Sequence, residues 1–209
     1  MKKFIRPLVL IGLVLFQVHS AHALLGEVRV TYGDVSGKPD DYNKAYFNFQ
    51  DGPEITKQSY LGADAIAMLP VIPFGFGLRY EKTGDDLTQF AERVDYTIDR
   101  LALVLNYRII NTLFYVGPIA TYGLSHELDF KIPTDLNELK AGKSKSYSVG
   151  LEGGVKLAIF RFGVEVGQMT MTFDDIKDIN GVAQTKNGLA VSKLDFGGTY
   201  YKAVVGIGF

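Results

Sequence analysis

An all-β fold, eight antiparallel strands closed into a barrel that crosses a membrane, is what this sequence predicts, on three observations. Eight segments alternate apolar and polar residues at period two. The connections between them alternate long and short. No stretch after the amino-terminal leader is long and apolar enough for a spanning helix, so a chain that crosses a membrane here must cross with strands.

The leader is read first because it sets the compartment. Lys2, Lys3 and Arg6 precede an apolar run from Leu8 to Val18, and Ala21-His22-Ala23 offers a small-x-small cleavage site, the pattern of a secretory signal peptide. The expected division is a cleaved signal over 1–23 and one barrel domain over 24–209. Without the leader, 19 Lys and Arg face 23 Asp and Glu, an acidic balance that argues against a nucleic-acid surface. An exported chain with no Cys has neither a disulfide framework nor a lipoprotein anchor. Twenty-three Gly with 14 Phe and 12 Tyr favour strands over helices.

In order, the first strand runs from Gly26 to Gly33, with Val28, Val30 and Tyr32 against Glu27, Arg29 and Thr31. A polar loop extends from Asp34 to about Lys57. Strand two, about Ser59 to Leu69, and strand three, Phe74 to about Lys82, are joined by Pro70-Val71-Ile72-Pro73, whose prolines cannot continue a ladder. Folding this hairpin sets Ala67, Ala65 and Ala63 opposite Phe76, Leu78 and Tyr80, and Asp64 opposite Arg79 on the other face. A second polar loop is expected over Thr83 to about Val94.

Strand four begins with Tyr96 and Ile98 on the parity of Arg100, then places Leu101, Leu103, Leu105 and Tyr107 on the other, so a bulge is expected near Asp99. A short turn over Arg108 to Thr112 leads to strand five, Leu113 to Leu124, where Pro118 predicts a local distortion. The third loop, Ser125 to Lys145, holds the helix signal of the mature chain: Asp135 and Glu138 make a capping-box start and Gly142 a stop. Strands six and seven form a hairpin about Phe160-Arg161, which sets Lys156 opposite Glu165. Met169, Met171 and Phe173 then switch parity, so a second bulge is expected near Gly167. The last loop, Asp174 to about Lys193, carries Asn180-Gly181 and Asn187-Gly188, both type I′ signals, and is expected to project as a hairpin. Strand eight runs from Leu194 to Phe209.

Its closing residues, Tyr201, Ala203, Val205, Ile207 and terminal Phe209 on one face with Lys202, Gly206 and Gly208 on the other, resemble the last strand of Gram-negative outer-membrane β-barrel proteins. The layout of the mature chain is similar to the small barrels of the OmpA transmembrane domain, OmpX and OmpW. The resemblance implies short periplasmic turns, four long extracellular loops, both termini in the periplasm of the outer membrane, and recognition of Tyr201, Val205, Ile207 and Phe209 by the barrel assembly machinery. It also implies contact with outer-membrane lipid and lipopolysaccharide. No peptidoglycan-binding domain follows the barrel, so a cell-wall anchor is not expected.

Alternation alone does not say which face is inside. A soluble lipocalin-like barrel would hide the apolar face, whereas a membrane barrel shows it to lipid. Aromatic residues near both strand ends, Phe74, Tyr107, Phe114, Phe162 and Phe209 at one and Tyr32, Tyr80, Tyr122 and Tyr147 at the other, favour the membrane. The lumen then holds Glu27, Asp64, Glu81, Glu152 and Glu165 against Arg29, Arg79, Arg100, Lys156 and Lys202. Asp64 with Arg79 and Lys156 with Glu165 are the expected structural ion pairs, more in keeping with a plug than with a permeation filter.

No constellation carries chemistry. His126 lies between Ser125 and Glu127, but successive strand residues point to opposite faces, so Ser125 and His126 cannot form a dyad there. Asp178-Ile179-Asn180-Gly181 resembles the middle of a calcium loop and fails at its first and twelfth positions. Asp40/Asp41 and Asp85/Asp86 read as solvated loop acids. No enzyme activity, cofactor, metal or nucleic-acid partner is expected. A structural or surface-interaction barrel, its loops meeting surface ligands, is the leading reading, beside a narrow channel or binder for small or apolar solutes and a lipid A-modifying enzyme.

Overall fold

The computed structural model describes residues 25–50, 53–69, 72–89, 92–132, 137–178, 180–183 and 185–209. The expected signal peptide and cleavage site lie outside them, as do Pro70, Val71 and Asp135. Eight long antiparallel strands make the wall: β1 (Leu25–Gly37), β2 (Gln58–Met68), β3 (Phe74–Gln89), β4 (Glu92–Tyr107), β5 (Phe114–Ile132), β6 (Asn137–Leu157), β7 (Phe160–Lys177) and β8 (Gly198–Gly208). Each pairs with its neighbours in sequence, and β8 returns to β1 through rungs such as Val205/Val30 and Ile207/Val28. The barrel is closed.

The register around the wall sets its size. From Glu27 the rungs run through Ile66, Gly77, Val104, Thr121, Ser148, Met169 and Gly198 to Gly37, ten residues further along β1. With ordinary strand rise and spacing, that shear over eight strands tilts them by about 43°. Such a bore is filled by side chains.

The outward face is apolar. Val149 and Leu151 are 58% and 55% exposed, and Val30, Leu78, Val164 and Val205 stand out likewise. That settles the choice between the two barrel types: a water-soluble barrel does not show such a continuous apolar belt. Between Tyr147 and Leu157 on β6 the belt measures about 24 Å along the axis, close to the apolar band of outer-membrane barrels. Strands β3 to β7 have 16 to 21 residues, more than the roughly 9–11 that a bilayer needs. The wall therefore continues beyond the belt.

Several expectations are corrected here. Segments 83–94 and 125–145 are not loops in their described parts; β3 and β4 stay in register to Gln89/Glu92, and β5 and β6 pair again at Phe130/Leu139. The expected helix near Glu138 and Gly142 is strand, and the helix lies instead in the first connection: α1 (Asp40–Ala45), followed by a 3-10 turn at Phe47–Phe49. Asp40 and Asp41 in its first turn suit the positive end of the helix dipole. Neither Asp99 nor Gly167 is bulged, because Lys82/Asp99 and Gly150/Gly167 sit in unbroken ladders. The register shift falls between Leu101/Ser125 and Ala102/Gly123, leaving Leu124 as the extra residue of β5. Strand eight is interrupted: Lys193–Asp195 is a separate short strand on β7, and β8 starts at Gly198.

The physical reason for the misplaced bulges is a change of chemistry rather than of backbone. In the belt, apolar residues point outward. Beyond it, Tyr96, Ile98, Met169, Met171 and Phe173 keep the inward parity of Arg100 and Glu165 and are buried. Pro118 does not shift the β5–β6 register. It falls just past Asn106/Ile119, the last rung between β4 and β5, where a missing N–H costs least.

Candidate functional site

The lumen is built in layers. At the end with the short turns, Ile66, Met68, Val104 and Ile119 form a small apolar cluster. Beside it Arg108 donates to both oxygens of Glu27, at 2.6 Å each, and to Glu152 at 3.0 Å. Arg161 reaches Glu27 at 3.4 Å.

Above this lies a network of fully buried charges. Arg29 donates to Asp64 (2.7 and 3.0 Å) and to Glu152 (2.5 Å). Arg79 donates to both oxygens of Asp64 (2.7 and 2.9 Å) and of Glu165 (2.9 and 2.7 Å). Glu81 accepts from Arg100 and Lys202, and Arg100 also donates to Ser146 and Thr121, each at 2.6 Å. Five buried acids, Glu27, Asp64, Glu81, Glu152 and Glu165, meet five buried bases, Arg29, Arg79, Arg100, Arg108 and Lys202. In a ring of eight, β3 and β7 face each other, so Arg79–Glu165 spans the whole bore.

Asp64 thus stands opposite Arg79 and is bonded to it. Lys156 and Glu165 are not brought together: Lys156 faces Arg161, and Glu165 faces Glu152 on one side and Lys202 on the other. The hairpin turns at Ala158-Ile159, with Ala158 in the left-handed region at φ 55°, two residues before the expected turn. Lys156 bonds Asn111 instead. Its place in the network belongs to Arg108, which sequence reading put in a turn; its even spacing after Arg100, Ala102, Val104 and Asn106 was the available signal.

The far end is capped from inside. Tyr42, Ala45 and Tyr46 of the first connection pack against Tyr96, Phe130 and Phe173 of the wall, with Val191, Leu194 and Phe196 of the last connection. Tyr42 stacks on Tyr46 at 4.9 Å, and Tyr96 on Phe196 at 5.5 Å. Asn43 pairs like a strand with the backbone of Ile55, donating at 3.0 Å and accepting at 3.1 Å. The last hairpin, turned by Asn187-Gly188 with both φ positive, folds onto this cap; Asn187 donates to the Ala45 carbonyl at 2.9 Å. It does not project.

His126 is not a loop histidine. The rungs between β5 and β6 stop at Tyr122/Tyr147 and resume at Phe130/Leu139. Within that interval His126 Nε2 lies 2.7 Å from Ser146 Oγ, and Nδ1 lies 3.1 Å from Ser144 Oγ. Ser146 is buried and already receives a bond from Arg100, and Nδ1 faces a hydroxyl where a triad needs a carboxylate. The arrangement is a clasp across an interrupted ladder. Among the described residues no cluster of His, Cys, Asp or Glu is arranged to hold a metal ion. Asp178 accepts the backbone N–H groups of Val182 (2.8 Å) and Asn180 (2.9 Å), which hold its carboxyl below the usual range in a closed turn.

At the carboxyl end, Tyr201, Val205, Ile207 and Phe209 face outward. Phe209 and Gly26 exchange two backbone bonds, at 2.8 and 2.9 Å, and the Phe209 ring covers Gly26. Gly206 leaves the space that Arg29 fills; a Cβ there would lie 2.8 Å from its Cγ.

No protein-family model matches the chain, and no curated protein matches it significantly. Among solved structures it is similar to a major outer membrane protein from Thermus thermophilus, with a TM-score of 0.51 and 12% identity over 90% of this chain and 100% of that one. At that identity the likeness is one of fold. The fold is that of an outer-membrane β-barrel protein.

Proposed function

We propose that this chain is a small outer-membrane barrel, closed to solutes, that offers a protruding sheet edge to partners at the cell surface. One observation carries the reading. β2 pairs with β3 only as far as Tyr60/Thr83, while β3 continues to Gln89 against β4. Among the described residues, no strand lies along the other flank of Gly84–Gln89. Monomeric proteins avoid such edges because they template pairing with another chain, and extended peptides bind by adding a strand to them. The bonded lumen and aromatic cap support a structural interior rather than a conduit, and no described group supports catalysis, so non-enzymatic binding is the role proposed. The termini and short turns then lie on the periplasmic side, as in the small OmpA, OmpX and OmpW-like barrels that the layout resembles.

The test places Pro at Gly84, inside the open flank, and measures adhesion of cells displaying the barrel to immobilised extracellular proteins. Binding should fall while the heat-induced gel shift of the folded barrel persists. Adhesion unchanged by the substitution, or absent from the parent, would remove the edge as the binding element.

A further inference from the structure

Just above the apolar belt the wall is interrupted along one seam. β5 and β6 pair as far as Tyr122/Tyr147 and again from Phe130/Leu139, and no rung joins residues 123–129 to 140–146. Backbone donors and acceptors there have no ladder partner across the seam and can bond polar groups from outside. The His126 clasp closes the seam from within: Ser144 and Ser146 both bond the imidazole, whose ring meets buried Phe173 edge-on at 6.1 Å. Successive strand residues point to opposite sides. Lys145, between the two serines, and Lys143, before them, are therefore turned outward, and both are exposed. Among the described residues neither lysine has an ion-pair or hydrogen-bond partner, not even Asp174 opposite Lys143 on β7. On the neighbouring strands, by contrast, Lys82, Arg93 and Lys131 each pair with an aspartate.

Depth selects the chemistry. Tyr122, Tyr147, Val149 and the bulged Leu124 stand out from the wall at the top of the belt. With the strand tilt found for this barrel, Lys145 and Lys143 lie about 5 and 10 Å above Tyr147 along the axis. They bracket a head-group layer roughly 5–8 Å thick on each side of a bilayer. Cations without counter-ions at that depth attract anionic lipid. Two flexible lysines whose Cα atoms are about 6.8 Å apart can close on one phosphate. A phosphate carried on a sugar answers both features, its charge meeting the lysines and the sugar hydroxyls meeting the seam. In the orientation proposed above this end of the barrel lies in the outer leaflet, where the lipid is lipopolysaccharide. We infer that the β5–β6 seam is a lipopolysaccharide site: acyl chains lie on Tyr122, Leu124, Tyr147 and Val149, and a phosphate of the sugar head group sits between Lys143 and Lys145. The inference rests on that orientation and is independent of edge binding at Gly84–Gln89.

The test refolds the full mature barrel into phosphatidylcholine vesicles holding equal amounts of bisphosphorylated lipid A and phosphatidylglycerol, extracts it gently and weighs it by native mass spectrometry. Lipid A should be retained in preference. Lys143→Gln combined with Lys145→Gln should lower the retained fraction about tenfold, equivalent to 1.4 kcal/mol. Lys143→Arg with Lys145→Arg should keep it, and Lys131→Gln, which removes a paired cation on β5, should leave it unchanged. Each variant is checked by the heat-induced gel shift, which separates failure of the barrel from failure of the site. Equal retention by the parent and the double Gln variant overturns the inference. So does phosphatidylglycerol retained as well as lipid A, or a loss in Lys131→Gln as large as that in the double variant, since either would reduce the seam to a surface that holds any anion.

Discussion

Arg79→Met tests the account of the lumen most sharply. Arg79 makes four hydrogen bonds to two carboxylates, all with buried partners. Counting each charged bond at about 1.5–3 kcal/mol gives roughly 6–12 kcal/mol. That overstates the loss, because Asp64 keeps two bonds from Arg29 and Glu165 keeps Lys202 across the ladder. The better guide is removal of one member of a buried pair, about 3–5 kcal/mol, most of it from the Glu165 carboxylate left without its principal partner. The reasoning therefore predicts a rescue: Glu165→Gln added to Arg79→Met should recover roughly half the loss, although Glu165→Gln alone destabilises. The chain has no Trp, so urea unfolding in lipid vesicles is followed by the heat-induced gel shift. Losses that simply add in the double variant would refute the idea that an uncompensated buried charge dominates. A loss below about 1 kcal/mol for Arg79→Met would refute the network as a stabilising element.

Three other outcomes are expected. Tyr42→Ala should loosen the cap, seen as faster hydrogen exchange in the first connection, yet planar bilayers should show no steady conductance because the charged layer still spans the bore; a conducting variant would make the cap the closure. Deleting Phe209 removes both bonds to Gly26 and should reduce outer-membrane levels while export continues, so normal levels would undercut its role in assembly. Gly206→Leu should collide with Arg29 and cost about 1–3 kcal/mol, whereas outward Ala203→Leu should stay within about 0.5 kcal/mol in the same unfolding assay.

The parts of this fold legible in the sequence are those where one rule holds along a whole strand. β2 and β3 are such a pair: small residues face large ones outward and Asp64 faces Arg79 inward, while prolines in the connecting sequence cannot continue either ladder. The β6–β7 turn was not legible because it uses Ala158 in a left-handed conformation, where a reader looks for Gly or Asn. An error of two residues there displaced Lys156 from the facing position, and Arg108, the lumenal base in its place, reads in the sequence as part of the separate turn after β4. The open flank of Gly84–Gln89 depends on β2 ending before β3. Alternation within each strand carries no record of its neighbour's length.

One inversion connects these features. Within the belt the wall is apolar outside and charged inside; above it, Tyr96, Ile98, Met171 and Phe173 turn the apolar side inward while Gln168, Thr170 and Asp95 face out. A wall built by a single rule would give either a short barrel ending at the membrane surface or a soluble one. Built by both rules in succession, β3 to β7 serve first as a membrane wall and then as the shell of a small water-facing core, with α1 and the last connection as its filling. At the junction the ladder changes on two strands: the β5 bulge releases Leu124, and β2 stops at Tyr60/Thr83 while β3 and β4 continue. Stability alone would favour matched strand lengths at this level. The one mismatch, between β2 and β3, opens the flank of Gly84–Gln89 on which the proposed edge binding rests.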